Sequence, residues 1–227
     1  MAELIVALDF ADAPSAVGFL DQLPDGCAVK VGSVMLARAG AGFVRGLVSA
    51  GHPVFLDPKW HDIPNTVAGA CNAAAELGVE MVTVHAGGGE TMLRAAVDAA
   101  AGRIKIVAVT VLTSHDAASY AAVTGRDQVK ISDEVARLTE IAMRSGVDGV
   151  VCSPEEIARV RPIVGLGRIV VPGIRRADDA PGDQARVATP EAAVAAGATH
   201  LVVGRPITEA KDPAGVYAEF VVAMLSS

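Results

Sequence analysis

Gly149-Val150-Val151-Cys152-Ser153-Pro154-Glu155-Glu156 carries a complete strand-to-helix junction. A β-branched run ends at a serine, proline takes the first helical position, and a glutamate stands three residues after the serine. Together they make a capping box, in which side chains satisfy N–H groups that a helix start leaves without partners. The stretch reads as a strand followed directly by a helix.

The same theme recurs along the chain: a short aliphatic or β-branched run, then an Ala-rich helical stretch closed by glycine. The runs are Leu4 to Phe10, Cys27 to Val31, Pro53 to Leu56, Met81 to His85, Ile104 to Leu112, Gly149 to Cys152, Ile169 to Val171 and His200 to Val203. Eight such units close a barrel, and 227 residues suit one barrel, for which about 250 is typical. The expected architecture is α/β, a (β/α)8 TIM barrel forming a single domain over residues 1–227. Thr189-Pro190-Glu191 and Asp212-Pro213 repeat the cap-then-proline signal, and Gly51, Gly78, Gly146 and Gly197 stand where helices should stop. No linker or low-complexity tract divides the chain. Ser114 to Lys130 and Arg175 to Ala188 read as longer irregular stretches after strands 5 and 7, on the face where barrels carry their active sites. A doubly wound open sheet would need a Gly-rich fingerprint after strand 1, and Asp9-Phe10-Ala11-Asp12 has none.

Composition narrows the function. The chain is 52% hydrophobic with mean hydropathy +0.42, yet no apolar run approaches the ~20 residues of a membrane span. Met1 to Phe10 lacks the basic-then-apolar order of a secretory signal and reads as a first strand. A net charge of −7 argues against a nucleic-acid partner, which would require excess Lys and Arg, but leaves room for a small anionic ligand held by a few local cations. Cys27, Cys71 and Cys152 are odd in number, far apart and set in apolar sequence, as expected of reduced core thiols in a cytoplasm. His52, His115 and His200 show no metal-ligand spacing.

The densest chemistry lies in Phe55-Leu56-Asp57-Pro58-Lys59-Trp60-His61-Asp62-Ile63-Pro64-Asn65-Thr66. Residues two apart on a strand share a face, so Asp57 and Lys59 are expected to look into the barrel mouth, with Lys30 as their neighbour from strand 2. A Lys-Asp-Lys array in a partly dry cleft holds each charge by a neighbour of opposite sign. The same spacing would also serve a structural ion-pair network at the strand ends.

Asp57-x-Lys59-x-x-Asp62 followed by Ile63-Pro64-Asn65-Thr66 resembles the signature of the orotidine 5'-phosphate decarboxylases. The resemblance covers almost the whole chain. It takes in Ala7-Leu8-Asp9, Val29-Lys30-Val31-Gly32, Thr110-Val111-Leu112-Thr113-Ser114, Pro172-Gly173-Ile174-Arg175, Asp183-Gln184-Ala185-Arg186 and Gly204-Arg205-Pro206-Ile207. Two positions depart from it: Pro58 stands where the family usually has an aliphatic residue, and Val171 where many relatives have Thr. Pro58 is expected to bend a strand that is ending there.

The resemblance implies decarboxylation of orotidine 5'-monophosphate (OMP) to uridine 5'-monophosphate and CO2 in pyrimidine synthesis, by a homodimer with no metal and no cofactor. It implies Lys59 as the cation beside C6 and its proton donor, Asp57 beside the departing carboxylate, and Lys30 holding Asp57. Asp62 and Thr66 would come from the other subunit. Asp9 would accept from ribose hydroxyls, and Thr113 and Ser114 would contact the nucleotide. Arg175, Gln184, Gly204 and Arg205 would surround the phosphate, where barrels of this kind commonly bind one.

Other features have plainer readings. His85-Ala86-Gly87-Gly88-Gly89 is expected to be a strand-to-helix turn rather than a phosphate cradle, His61 to orient or pack, and Trp60 to pack against the barrel helices. Three rival functions are a magnesium-dependent sugar-phosphate enzyme sharing the Asp-x-Lys-x-x-Asp core, a zinc-type pentose-phosphate epimerase, and a barrel that only binds nucleotide. Lys30 and Lys59 repel a metal at strands 2 and 3, and the run His61 to Thr66, with the Gln184 region, favours the nucleotide enzyme.

Overall fold

The computed structural model describes residues 2–176 and 187–226. Its strands are β1 (Glu3–Ala7), β2 (Ala28–Gly32), β3 (Val54–Trp60), β4 (Met81–His85), β5 (Lys105–Val109), β6 (Gly149–Val151), β7 (Arg168–Val171) and β8 (His200–Val203). Each pairs in parallel with the next, and β8 closes on β1 from Glu3↔His200 to Val6↔Val203. The helices are α1 (Ala13–Leu20), α2 (Ser33–Ser49, broken at Gly40), α3 (Pro64–Leu77), α4 (Gly89–Ala100), α5 (Ala117–Thr124), α6 (Ile131–Arg144), α7 (Ile157–Val164), α8 (Pro190–Ala195), α9 (Arg205–Thr208) and α10 (Pro213–Leu225). At least one helix follows every strand, giving the expected (β/α)8 TIM barrel. Among the described residues no helix is long and apolar enough to cross a membrane.

Strand alternation divides the core in two. Ile5, Ala7, Ala28, Phe55, Met81, Val107, Val170 and Val202 fill the barrel interior. Their strand neighbours Val6, Val29, Leu56, Val82, Ile169 and Leu201 face the helix layer. Val171 belongs to that outer layer and is fully buried, so its departure from the family pattern falls away from the barrel mouth. Phe220 of α10 is also fully buried, a contribution of about 1.5–3 kcal/mol for a side chain of its class.

The predicted caps form. Thr189 Oγ1 accepts from the Ala192 N–H at 3.3 Å, and Asp212 Oδ1 accepts from the Gly215 N–H at 3.0 Å. Each such cap contributes about 1 kcal/mol. Glu156 accepts from the Ser153 N–H at 3.1 Å, but the turn it caps is a 3-10 turn, Pro154–Glu156, with α7 starting only at Ile157. A larger difference lies in Ser114 to Lys130, read as irregular: α5 occupies its centre. Asp116 Oδ1 caps it by accepting from the Ser119 N–H at 2.7 Å, Gly125 ends it at φ 64°, and Ala117, Ala118, Ala121 and Ala122 are strong helix formers. Its lack of an apolar face hid it from a search for periodicity. Glu134 of α6, buried, ties this segment down by pairing with Arg126 at 3.0 Å and Arg137 at 2.5 Å, and the Tyr120 hydroxyl donates to it at 3.2 Å. The Arg137 and Arg126 guanidiniums hold the Glu134 carboxyl down at about 2.

The N-terminal end of the barrel is closed by polar side chains. Burial, reinforced by Arg168, lowers the His200 imidazole to about 4, so it is neutral at pH 7. Its Nδ1 lies 2.7 Å from the Thr199 hydroxyl and its Nε2 3.5 Å from Glu3.

Candidate active site

The site begins with an irregularity in β3. Phe55↔Met81 and Leu56↔Val82 are in register with β4, but the next pair is Trp60↔Val84. Four residue steps on β3 thus span two on β4, so Asp57, Pro58 and Lys59 stand opposite Thr83 alone, an excess of two residues. Lys59 takes up the slack with a left-handed backbone, φ 53°, unusual for a residue other than glycine. The strand does not end at Pro58 as expected; it continues to Trp60. Proline fits here because a residue in a slip has no ladder bond to lose. Asp57 and Lys59 do meet, but the left-handed turn enforces this, since simple alternation does not hold through a slip.

Around that slip the charges assemble. Lys59 Nζ lies 2.7 Å from Asp57 Oδ2, and Lys30 Nζ lies 3.6 Å from the same oxygen and 3.5 Å from Asp9 Oδ1. Exposure grades outward: the Asp57 and Lys30 side chains are 10% and 12% exposed, Lys59 39% and Asp9 60%. The array has a dry base and a wet rim. Gly32 leaves room for it, because a Cβ there would stand 3.0 Å from Lys30 Nζ. Thr83 of β4, fully buried, donates from its hydroxyl to Asp57 Oδ1 at 3.0 Å and accepts from the Lys59 N–H at 2.8 Å. Sequence reasoning missed Thr83. The available signal was a lone hydroxyl at the centre of the apolar run Met81-Val82-Thr83-Val84, two residues from Met81 and so on the inward face.

Asp9, Lys30, Asp57 and Lys59 border a cavity of about 580 Å³ at the C-terminal end of the barrel. Ala7, Phe55, Val151, Val170 and Val202 form its apolar part, and Asp9, Lys30, Asp57, Lys59 and Thr113 line it on the side of β1, β2, β3 and β5. Pro172, Gly173, Arg175, Gly204, Arg205, Thr208 and Glu209 line it after β7 and β8. Arg175 is buried and donates to the Ile174 carbonyl at 3.0 Å, while its N–H donates to the Ala188 carbonyl at 3.0 Å, closing the stem of the segment after β7. Thr208 and Glu209 were not anticipated.

Three expected residues stand apart. Asp62 is exposed, outside the cavity lining, and accepts from the Ile63 N–H at 2.6 Å. Thr66, in the first turn of α3, is also exposed and away from the lining, as is Ser114. Gln184 lies outside the described residues. Ile63, next to Asp62, is an exposed apolar side chain, 67% accessible.

His61 stacks on His85 with ring centroids 5.2 Å apart and planes 17° from parallel. Burial, with His61, Lys59 and His115 behind it, lowers the His85 imidazole from its ordinary value. The Gly87 N–H donates to His85 Nδ1 at 3.2 Å, and residues 86–88 form a 3-10 turn leading into α4, so the Gly-rich run is a strand-to-helix turn. Trp60 packs against the outer core. Among the described residues no group of three or more His, Cys, Asp or Glu side chains is placed to hold a metal ion.

The profile of the Orotidine 5'-phosphate decarboxylase / HUMPS family matches residues 2–220. An orotidine 5'-phosphate decarboxylase of Halorhodospira halophila is 55% identical over 220 residues, covering 95% of this chain and 92% of its own. One from Chromobacterium violaceum is 50% identical over 215 residues, covering 92% of this chain and 86% of its own. The crystal structure of the orotidine 5'-phosphate decarboxylase from Lactobacillus acidophilus superposes with a TM-score of 0.88 at 35% identity, covering 99% of both chains. A profile match over nearly its full length, and relatives at half identity or better, place this chain in the orotidine 5'-phosphate decarboxylase family.

Proposed function

We propose that the protein decarboxylates orotidine 5'-monophosphate to uridine 5'-monophosphate and CO2 in pyrimidine synthesis, using its own side chains alone. The observation that carries this reading is the Lys30–Asp57–Lys59 array at one side of a cavity whose other side presents Arg175 and Arg205. A dianionic phosphate at the second place puts the pyrimidine over the first.

The chemistry follows from charge. Breaking the C6–carboxylate bond releases CO2 and leaves an electron pair on C6, in an orbital the ring cannot delocalise. Lys59 supplies a fixed cation beside that carbon and then donates its proton to it, giving the C6–H of the product. Asp57 stands beside the departing carboxylate, where like-charge proximity raises the ground state relative to a transition state that has shed its charge as CO2. Lys30 holds Asp57 in place and, with Asp9, reaches the ribose. Thr113 and Ser114 contact the base, and Arg175, Gln184, Gly204 and Arg205 surround the phosphate. The ammonium groups of Lys30 and Lys59 occupy the strand ends where a divalent ion would have to sit, which supports a mechanism without metal or coenzyme. Cys27, Cys71 and Cys152 are buried thiols outside any disulfide, which suits a reducing cytoplasm.

The test is the fall in absorbance as OMP is consumed, with and without a chelator. Turnover of equal rate in both is the expected result; loss of turnover in chelator would favour a metal-dependent enzyme, and no turnover in either would leave a nucleotide-binding barrel.

Asp62 and Thr66 complete the site of a second copy in a homodimer. Their exposure, beside the exposed apolar Ile63, supports this placement. Lys59→Ala and Asp62→Ala proteins, each inactive alone, should recover about a quarter of parental activity when co-expressed, because random pairing makes half the dimers mixed and each mixed dimer holds one intact site. A mixture that stays inactive would show that each chain builds its own site.

A further inference from the structure

Thr83 is a buried side chain to which neither the family signature nor the reading above gives a task. Its hydroxyl has one proton to donate and lone pairs to accept, and the structure uses both on the reactive pair: it donates to Asp57 Oδ1 at 3.0 Å and accepts from the Lys59 N–H at 2.8 Å. The slip between Leu56↔Val82 and Trp60↔Val84 leaves Lys59 without a register partner on β4, and its N–H donates to the Thr83 hydroxyl instead. Asp57 Oδ2 faces the two lysines, leaving Oδ1 to be fixed from the opposite side. One hydroxyl on the neighbouring strand therefore holds the carboxylate of one residue and the left-handed backbone of the other.

We propose that Thr83 is a positioning residue for decarboxylation: its hydroxyl fixes the Asp57 carboxylate and the Lys59 backbone relative to each other and so aims the Lys59 ammonium at C6. This rests on the decarboxylase reading. Thr83 is fully buried and stands outside the cavity lining, so it acts through the two residues it bonds. Valine has threonine's shape without its hydrogen bonds, and serine keeps the hydroxyl while losing a methyl. The role therefore separates cleanly from packing.

The experiment measures kcat and KM for OMP in the parent, Thr83→Val and Thr83→Ser proteins, with rates normalised to folded protein. Thr83→Val should lower kcat about 10- to 100-fold, as expected when reacting groups are displaced by a fraction of an ångström to an ångström, while KM stays within about threefold because the phosphate contacts are untouched. Thr83→Ser should retain kcat within about threefold of the parent. A Thr83→Val protein with parental kcat, or a Thr83→Ser protein as impaired as Thr83→Val, overturns the proposal. Should Thr83→Val not fold, Thr83→Cys, a weaker donor and acceptor of similar size to serine, must show a lower kcat than Thr83→Ser; equal rates overturn the proposal. A parent protein that does not consume OMP would instead sink the decarboxylase reading, a different result from a parent that turns over and a Thr83→Val protein that matches it.

Discussion

Replacing Lys59 by alanine is expected to lower kcat/KM for OMP by at least about 10⁴-fold. Two roles end together: loss of one preorganised charge-stabilising group costs about 10²- to 10³-fold, and loss of a positioned proton donor about 10²- to 10⁴-fold. The change also strips Asp57 of its nearest ammonium partner, leaving Lys30 at 3.6 Å as its one ammonium neighbour among the described residues. Substrate binding should change far less than kcat, because Arg175 and Arg205, the cations proposed for the phosphate, line the cavity after β7 and β8 rather than at β3. Lys59→Arg separates the roles, since arginine keeps the charge but gives up no proton near neutral pH. It should remain severely impaired. Turnover by Lys59→Ala within tenfold of the parent would refute the assignment.

The second large effect concerns a group that takes no part in the bond breaking. Orotidine without its phosphate should be turned over with kcat/KM lower by about 10⁴-fold or more. Binding energy from a remote dianion is available to organise the reacting groups, and a truncated substrate forfeits it in the rate as well as in affinity. Arg175 and Arg205 carry the argument, as guanidiniums pair with phosphate through two parallel hydrogen bonds. A cross-comparison isolates them: Arg205→Ala should cost about 10- to 100-fold on the nucleotide and almost nothing on the nucleoside, by the logic of a double-mutant cycle. Equal losses on both substrates would mean that Arg205 serves the fold rather than the phosphate.

The barrel was legible because its strands announce themselves by composition and its helices by caps. The runs Met81 to His85 and His200 to Val203 coincide with β4 and β8 to the residue. Ile104 to Leu112 overshot β5, which ends at Val109, since Thr110-Val111-Leu112 is as β-prone as the strand itself and only the loss of pairing stops it. Pairing is a property of neighbours, which one strand's sequence does not contain. For the same reason the slip in β3 was invisible: it exists only relative to the register of β4. Lys30, Asp57 and Lys59 were found because charges at the ends of apolar strands are conspicuous, and Asp9 through the family resemblance. Thr83 was not, because threonine is also a good strand former and its task shows only once Asp57 and Lys59 are placed. Asp62, Thr66 and Ser114 lie off the cavity lining, where intrachain geometry has little to say about their partners.

Pro58 has a further consequence, for the chain before it folds. Its ring fixes φ near about −65° and bars the preceding Asp57 from helical backbone angles, so two of the three residues in the slip sample a narrowed space even in the denatured ensemble. Where the native geometry tolerates it, such a restriction reduces the entropy lost on folding by about 0.4–1 kcal/mol. The stiff segment between Asp57 and Lys59 thus arrives at the barrel partly shaped, and some of the order around this charged pair is inherited from local covalent structure rather than imposed by tertiary contacts.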